Sequence, residues 1–317
     1  MKLISTIKEI GRTIVPTAKD FAADGAPSMA AAIAYYTVFS LPPLLVLIVR
    51  LAGIVFDPAD VQASVLTHAG GLVGAEGAEQ IGEMIAEGGR RSAAGGLGGL
   101  LGVLALLIGA TGAFIELQRA LNIAWGVRPD PAAKGETKGG RIKSFLTKRI
   151  LSFSMVLGLA FLLLTSLVIS AAISALGSWL GGLMPGVAAP LLGALDVILS
   201  LVLIGLLIAA LFRYLPDAKV AWRDVGVGAV ITTLLFLLGK FLIGFYLGRG
   251  EVGSVFGAAG SLAIILVWIY YTAMILLFGA EFTQIWTQRH GRAIEPEEGA
   301  MLVETVERKE RPKATRR

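Results

Sequence analysis

Six stretches of this chain have about the 20 apolar residues needed to cross the hydrocarbon core of a bilayer. They cover roughly residues 29–55, 97–115, 150–173, 190–211, 225–245 and 261–280. A segment inside hydrocarbon must satisfy its own backbone polar groups, so each is read as a helix. The expected fold is all-α: a polytopic membrane protein built as a bundle of six transmembrane helices. Composition agrees, with 55% hydrophobic and only 16% charged residues and a mean hydropathy of +0.75. Soluble chains carry roughly 25% charged residues. The third and sixth stretches are the clearest, the second is rich in glycine, and Lys240 interrupts the fifth.

Lys and Arg set the expected orientation. The N-terminal tail, the 116–149 loop, the loop after the fourth span and the C-terminal tail alternate along the chain. Together they hold 23 of the 28 basic residues. The opposite side has only Arg90, Arg91 and Arg249. Both termini are therefore expected in the cytoplasm, with an even number of spans.

Three regions follow. Residues 1–28 lack the continuous apolar core of a signal peptide. Leu3, Ile4, Ile7, Ile10, Ile14 and Val15 recur at helical spacing, opposite Lys2, Lys8, Glu9 and Arg12. This predicts a cytoplasmic amphipathic helix, lying in the membrane interface or packed on the protein's own loops, the first being preferred. Residues 29–290 form the transmembrane domain. Residues 291–317 are highly charged, contain Pro296 and Pro312, and are read as a cytoplasmic tail that is disordered at least at its end. On the outer side, residues 76–87 read either as a short amphipathic helix burying Ile81, Met84 and Ile85 or, preferred, as a solvated acidic face.

The first span reads AAIAYYTVFSLPPLLVLIV over residues 31–49. Pro42 and Pro43 remove the donors that would reach the carbonyls of Val38 and Phe39, and each proline disfavours helical geometry in the residue before it. A Pro-broken helix is expected around 38–42. Ser40, Tyr35 and Tyr36 are near enough in sequence to satisfy the freed carbonyls. Tyr36 and Ser40 share a face, and Tyr35 points about one hundred degrees away. Two readings stay open: a break lining a pathway, and a kinked packing helix.

Ionisable residues in spans are costly and tend to face the bundle interior or water. Arg50, Asp196 and Lys240 come from three different helices and fall at similar depth in the outer half. They are read as a shared, anion-suited cavity, or as cations that separately snorkel to the interface. With Tyr35, Tyr36, Ser40, Pro42 and Pro43 they make up the candidate pathway. At the inner side, Glu116 and Glu281 lie near Arg119 and Arg213, and ion pairs that fix helix packing are expected there. Small residues four apart let helices approach closely. Gly95 with Gly99, Gly98 with Gly102, and Gly253 with Gly257 are the expected helix-packing positions.

The chain resembles the YihY/BrkB integral membrane proteins of bacteria. The resemblance rests on the Tyr-Tyr and Ser-Leu-Pro-Pro-Leu of the first span and on LQRALNIAWGV (117–127). It continues through YLPDAKVAWRDVGVGAV (214–230), GKFLIGFYL (239–247), SVFGAAGS (254–261) and WIYYTAMILLFGAEF (268–282). It covers roughly residues 20–290 and leaves out the tails. Phe256 stands where tyrosine is expected in many members. The resemblance implies six spans and the bacterial inner membrane, without a settled activity; family members have also carried a tRNA-processing ribonuclease label.

A transporter, exporter or lipid-translocating protein for an anionic solute or headgroup accounts best for ionisable residues and a broken helix within the spans. No GxxxxGK[ST] stretch is present, so no ATPase of its own is expected. The alternative is a structural or assembly protein of the membrane. A nuclease is disfavoured: His68 and His290 are predicted on opposite sides of the bilayer and there is no cysteine. The basic loop is equally explained by the positive-inside rule. No enzyme activity, metal, cofactor or nucleic-acid partner is expected. The expected partners are membrane lipids and an unidentified solute or lipid, with homo-oligomerisation left open.

Overall fold

The computed structural model describes residues 2–54, 56–93, 97–130, 188–247, 260–291, 293–297 and 299–303. Seven helices carry the architecture of these residues: α1 (Lys2–Ala23), α2 (Ala26–Ala52), α3 (Pro58–Ala93), α4 (Leu97–Ala124), α5 (Ala188–Tyr214), α6 (Trp222–Leu247) and α7 (Gly260–Arg289). Five of the six expected spans coincide with α2, α4, α5, α6 and α7; the third, at 150–173, lies outside the described residues. Among the described residues four helical segments are long and apolar enough to cross a membrane: Ala26–Arg50, Val197–Tyr214, Trp222–Leu242 and Leu262–Arg289.

The outward faces fit a hydrocarbon environment. Ile198, Val202 and Leu206 on α5, and Val230, Leu234 and Leu238 on α6, recur every four residues and are more than half exposed. A contiguous apolar surface of this kind is rare on soluble monomers. Inside, α7 is the common partner, packing against α1, α2, α3, α4 and α6. The buried apolar side chains fall into two clusters. One is built on Ile33, Leu121, Trp125, Phe212, Val225 and Leu277, and the other on Leu45, Val73, Ile81, Ile85, Ile265 and Trp268.

The structure corrects several expectations. α2 runs as one helix from Ala26 to Ala52 with Pro42 and Pro43 inside it, so the expected Pro-broken first helix is not found. Proline's fixed φ is itself helical, and what it removes is a donor. The course of the helix is held from outside, by α4 packed against it at Gly109 and Gly112. Residues 76–87 are helical, with Ile81 and Ile85 buried, Met84 only half-buried, and Glu79, Glu83 and Glu87 exposed. Both readings of that stretch therefore hold on opposite faces. α3 is bent at Gly74 (φ 80°, ψ 177°), a conformation open to glycine.

α1 is the expected N-terminal helix, but it lies lengthwise on α7. Among its described side chains Thr13 and Thr17 are fully buried, while Ile14 and Val15 of the apolar stripe are exposed. The two hydroxyls donate to the carbonyls of Glu9 (2.9 Å) and Thr13 (2.8 Å) in their own helix, which lets them be buried without a partner across the interface.

The tail, expected to be disordered at least at its end, begins with an ordered strap. Strand β1 (Val127–Pro129) follows α4, β2 (Ala218–Lys219) follows α5, and β3 (Glu295–Pro296) and β4 (Ala300–Leu302) lie beyond α7. β4 pairs antiparallel with β1, with Arg128 opposite Met301, and β3 pairs with β2, with Lys219 opposite Glu295. Ile294 and Met301 are buried, so the strap is anchored by apolar side chains that its charge content obscures. Residues 304–317 lie outside the described residues.

Candidate functional site

Gly109 and Gly112 are three residues apart on α4 and face α2. A Cβ at Gly109 would stand 2.8 Å from the Cβ of Ser40 and 2.9 Å from its backbone nitrogen. A Cβ at Gly112 would meet the ring of Tyr36. Tyr36 and Ser40 therefore share a face and enter the α2–α4 contact. The Ser40 hydroxyl donates to the Thr37 carbonyl at 3.0 Å, and that of Thr37 to the Ile33 carbonyl at 2.7 Å. Tyr35 points away, 58% exposed, with its ring against Tyr36 and Phe39. Pro42 and Pro43 are half-buried.

Arg50, in the last turn of α2, and Lys240, on α6, are both exposed. α2 packs on α3, α4 and α7, and α6 on α5 and α7. Among the described residues neither Arg50 nor Lys240 makes an ion pair. The side chain of Asp196, and Gly95, Gly253 and Gly257, lie outside the described residues; so do the surroundings of Gly98, Gly99 and Gly102 on α4.

Close packing appears at other small residues. A Cβ at Gly228 on α6 would overlap Thr283 of α7, and one at Gly279 on α7 would overlap Thr232 of α6. Thr232 donates to the carbonyl of Gly228 (2.7 Å), and Thr283 to that of Gly279 (2.6 Å). Each helix thus offers a Gly-x-x-x-Thr step that interlocks with the other. This spacing was readable in the sequence.

A polar cluster lies at the strap end of the bundle. Asn122 of α4 grips Asp217, just before β2: its amide nitrogen donates to the carboxylate at 2.9 Å, and its oxygen accepts from the Asp217 backbone N–H at 2.7 Å. Gln118 adds a longer bond to the same carboxylate at 3.3 Å. The LQRALNIAW and YLPDAK stretches thus meet across 95 residues of sequence. Trp125, in the turn that ends α4, is fully buried with its ring edge-on to Phe212.

Glu281 behaves differently from the expectation. Glu116 does lie near Arg119, at 3.6 Å, but Arg119 is largely exposed and the pair contributes little. Glu281 is 2% exposed, and its hydrogen-bond partner is another acid, Asp24, in the turn between α1 and α2. A carboxyl–carboxyl hydrogen bond requires that one of the two carry a proton. Burial, and then the neighbouring Asp20 carboxylate, push Asp24 above its ordinary carboxylate range; the bond to Glu281 and the charge of Arg128 act the other way. Asp24 and Asp20 sit in a region read at first as interfacial helix, which is why the sequence did not show the pair.

The chain matches the family described as virulence factor BrkB over residues 17–301. The chain belongs to the BrkB virulence factor family. BrkB-type relatives include a UPF0761 membrane protein of Methylibium petroleiphilum, 31% identical over 57% of this chain and 40% of that protein. Another UPF0761 membrane protein, from Tolumonas auensis, is 32% identical over 43% of the chain and 44% of its own length. A Bacillus subtilis relative named putative ribonuclease-like protein YfkH is 24% identical over 61% of the chain and 67% of its own length. The chain thus spans less than half the length of the first two. No solved structure matches it. The chain is an integral membrane protein of the BrkB family, and the match ends within β4, so the strap falls inside it.

Proposed function

We propose that this BrkB-family chain is a transporter, exporter or lipid-translocating protein for an anionic solute or headgroup. In this reading it lies in the bacterial inner membrane with both termini cytoplasmic and draws on no ATPase of its own. The observation that carries the reading is Glu281, a carboxyl buried in an apolar helix of membrane length with a second carboxyl as its partner. A desolvated carboxyl set beside a second carboxyl does not help a bundle hold its shape, and an amide or apolar side chain at Glu281 would stabilise it better. Ionisable groups placed this way in membrane helices mark ion and proton routes. Arg50 and Lys240, exposed on helices of spanning length, support an anion as the substrate class.

One observation favours the second reading, a structural or assembly protein. Tyr36 and Ser40 are taken up in packing against α4, and the Ser40 hydroxyl is already bonded within its own helix. The ribonuclease-like name of the Bacillus subtilis relative has the least support. Among the described residues no three His, Asp or Glu are grouped as metal ligands.

Reconstitution into liposomes separates the readings. Flux of small anions or scrambling of labelled anionic lipid above that of protein-free vesicles is expected, with Glu281→Gln lowering it while the protein stays folded. Neither activity above empty vesicles, across the anions and lipids tried, would leave the assembly reading standing.

A further inference from the structure

Two rows of exposed side chains converge on one turn. Ile198, Val202, Leu206 and Tyr214 are exposed on α5, and Trp222, Val230, Leu234 and Leu238 on α6. The two helices pack on each other, and their rows end where Tyr214 and Trp222 meet edge to face, with ring centroids 5.9 Å apart and planes at 75°. Both rings stay more than half exposed. A ring with a polar tip, exposed where an apolar face stops, suits the boundary between hydrocarbon and headgroups. The length agrees: the 21 residues from Trp222 to Leu242 rise about 30 Å, the thickness of the hydrocarbon core. Lys240 and Phe241, both exposed, stand at the far margin.

Each ring has an arginine beside it in the chain, half-buried Arg213 on α5 and exposed Arg223 on α6. Arg213 follows Leu206 by seven residues and Val202 by eleven, and Arg223 precedes Val230 by seven and Leu234 by eleven. At about 100° per residue, these spacings hold each arginine within about 20° of its own helix's outward apolar line. Each also lies about 10 Å along the axis from the nearer of those apolar residues. Both cations therefore stand on the lipid-facing side, just past the apolar rows, at the level of the headgroups. The nearby acids are engaged or set apart. Asp217 is bonded by Asn122 and Gln118, and Asp224 is fully buried. Glu295 stands opposite Lys219 across β2 and β3, and exposed Glu297 lies beyond β3. Among the described residues neither Arg213 nor Arg223 makes an ion pair.

We infer that the α5–α6 turn at the strap end binds the headgroup of an anionic phospholipid in the adjoining leaflet. Arg213 and Arg223 take the phosphate, whose oxygens match the fork of donors on a guanidinium. Tyr214 and Trp222 set the depth and cover the first carbons of the acyl chains, which continue along Leu206 and Val202 on α5 and Val230 and Leu234 on α6. A zwitterionic lipid offers the same phosphate with a cation attached, which two arginines disfavour. A soluble phosphate would leave the rings and the apolar rows unused, so the occupant is a lipid. The inference does not rest on the transport reading, because a lipid held beside this turn need not be moved.

The chain has no cysteine, and Ala221, exposed in this turn, can take a single one. Ala221→Cys carrying a bimane, in the full chain in lipid nanodiscs, reports which lipid lies beside it. Phosphatidylglycerol and phosphatidylcholine, each with a nitroxide high on one acyl chain, are compared as quenchers at equal mole fraction. The anionic lipid is expected to be preferred about fivefold, the preference that one arginine at an anionic surface would give. Arg213→Gln/Arg223→Gln should abolish the preference. Arg12→Gln/Arg119→Gln, which removes the same charge from two other exposed positions, should keep it. Equal quenching by both lipids in the labelled parent would overturn the inference, and so would an undiminished preference in Arg213→Gln/Arg223→Gln. An equal loss in both double variants would reduce the effect to general attraction and overturn it too. Inorganic phosphate added at constant ionic strength should leave the preference intact; displacement by it would make this a site for a soluble anion and overturn the lipid assignment. The quenching is read in a membrane across which nothing needs to pass, so its failure and the failure of the transport reading are separate results.

Discussion

Gly109 and Gly112, one helical turn apart, should answer differently to alanine once the facing side chain is cut away. At Gly112 the obstacle is the ring of Tyr36, a side chain that can be cut away. Gly112→Ala in the parent should cost about 1–3 kcal/mol, the usual penalty for overfilling a packed contact. In a Tyr36→Ala background the obstacle is gone, and the same change should stabilise by about 0.5–1 kcal/mol, because alanine suits a helix interior better than glycine. The sign reverses, and the coupling between the two positions is about 1.5–4 kcal/mol, the sum of those two figures. At Gly109 the obstacle includes the Ser40 backbone nitrogen at 2.9 Å and Cα at 3.0 Å, which no side-chain truncation removes. Gly109→Ala should therefore stay destabilising whether residue 40 is serine, alanine or glycine. Equilibrium unfolding of the eight single and double variants and the parent in mixed micelles measures all of these. Additive effects at 112 and 36, or rescue of Gly109→Ala by Ser40→Gly, would refute the α2–α4 packing described for the Tyr-Tyr and Pro-Pro segment.

Three further outcomes follow. Asn122→Ala removes both partners that Asn122 gives to Asp217 and should cost about 1–3 kcal/mol in the same unfolding assay, with Asn122→Asp no better, since it sets two carboxylates together. Asp24 titrates above its unfolded value of 3.8, so its contribution is fully present below that value and is lost as pH rises through the folded one; Asp24→Asn should flatten this fall in melting temperature. Ending the chain at Gly291 removes β3 and β4, which should expose the backbone around Val127–Pro129 and Ala218–Lys219 to protease while α2, α6 and α7 stay protected.

The helices were legible because a bilayer demands long apolar runs, and the strand-and-turn chemistry between them was not. Composition gives Glu295 and Pro296 the look of a tail, yet Ile294 and Met301 bury and their backbones pair with loops that follow two separate helices. Pairing of that range leaves no periodic trace. Glu281 was visible as a buried candidate at the end of a span, but the sequence offered nearby arginines as partners and could not bring in Asp24 from a turn more than 250 residues away. The prolines misled for a local reason: the rules for an isolated helix predict a break, whereas here a neighbouring helix reaches the same turns through two glycines. The meeting of LQRALNIAW with YLPDAK rests on bonds from side chains of α4 to a turn 95 residues further on, and no spacing within either stretch announces it.

The bend at Gly74 has a consequence for how the chain is threaded. With 36 residues, α3 would as a straight helix reach about 54 Å, well beyond the 30 Å of a bilayer's hydrocarbon. Split at Gly74 it becomes two arms of 16 and 19 residues, and the second carries Glu76, Glu79, Glu83, Glu87, Arg90 and Arg91. Neither arm can cross. Whichever face of the membrane α2 delivers the chain to, α3 leaves it there, and α4 must set out from that same face. Gly74 thus breaks a helix that would outreach the bilayer into two arms, the first too short and the second too charged to span.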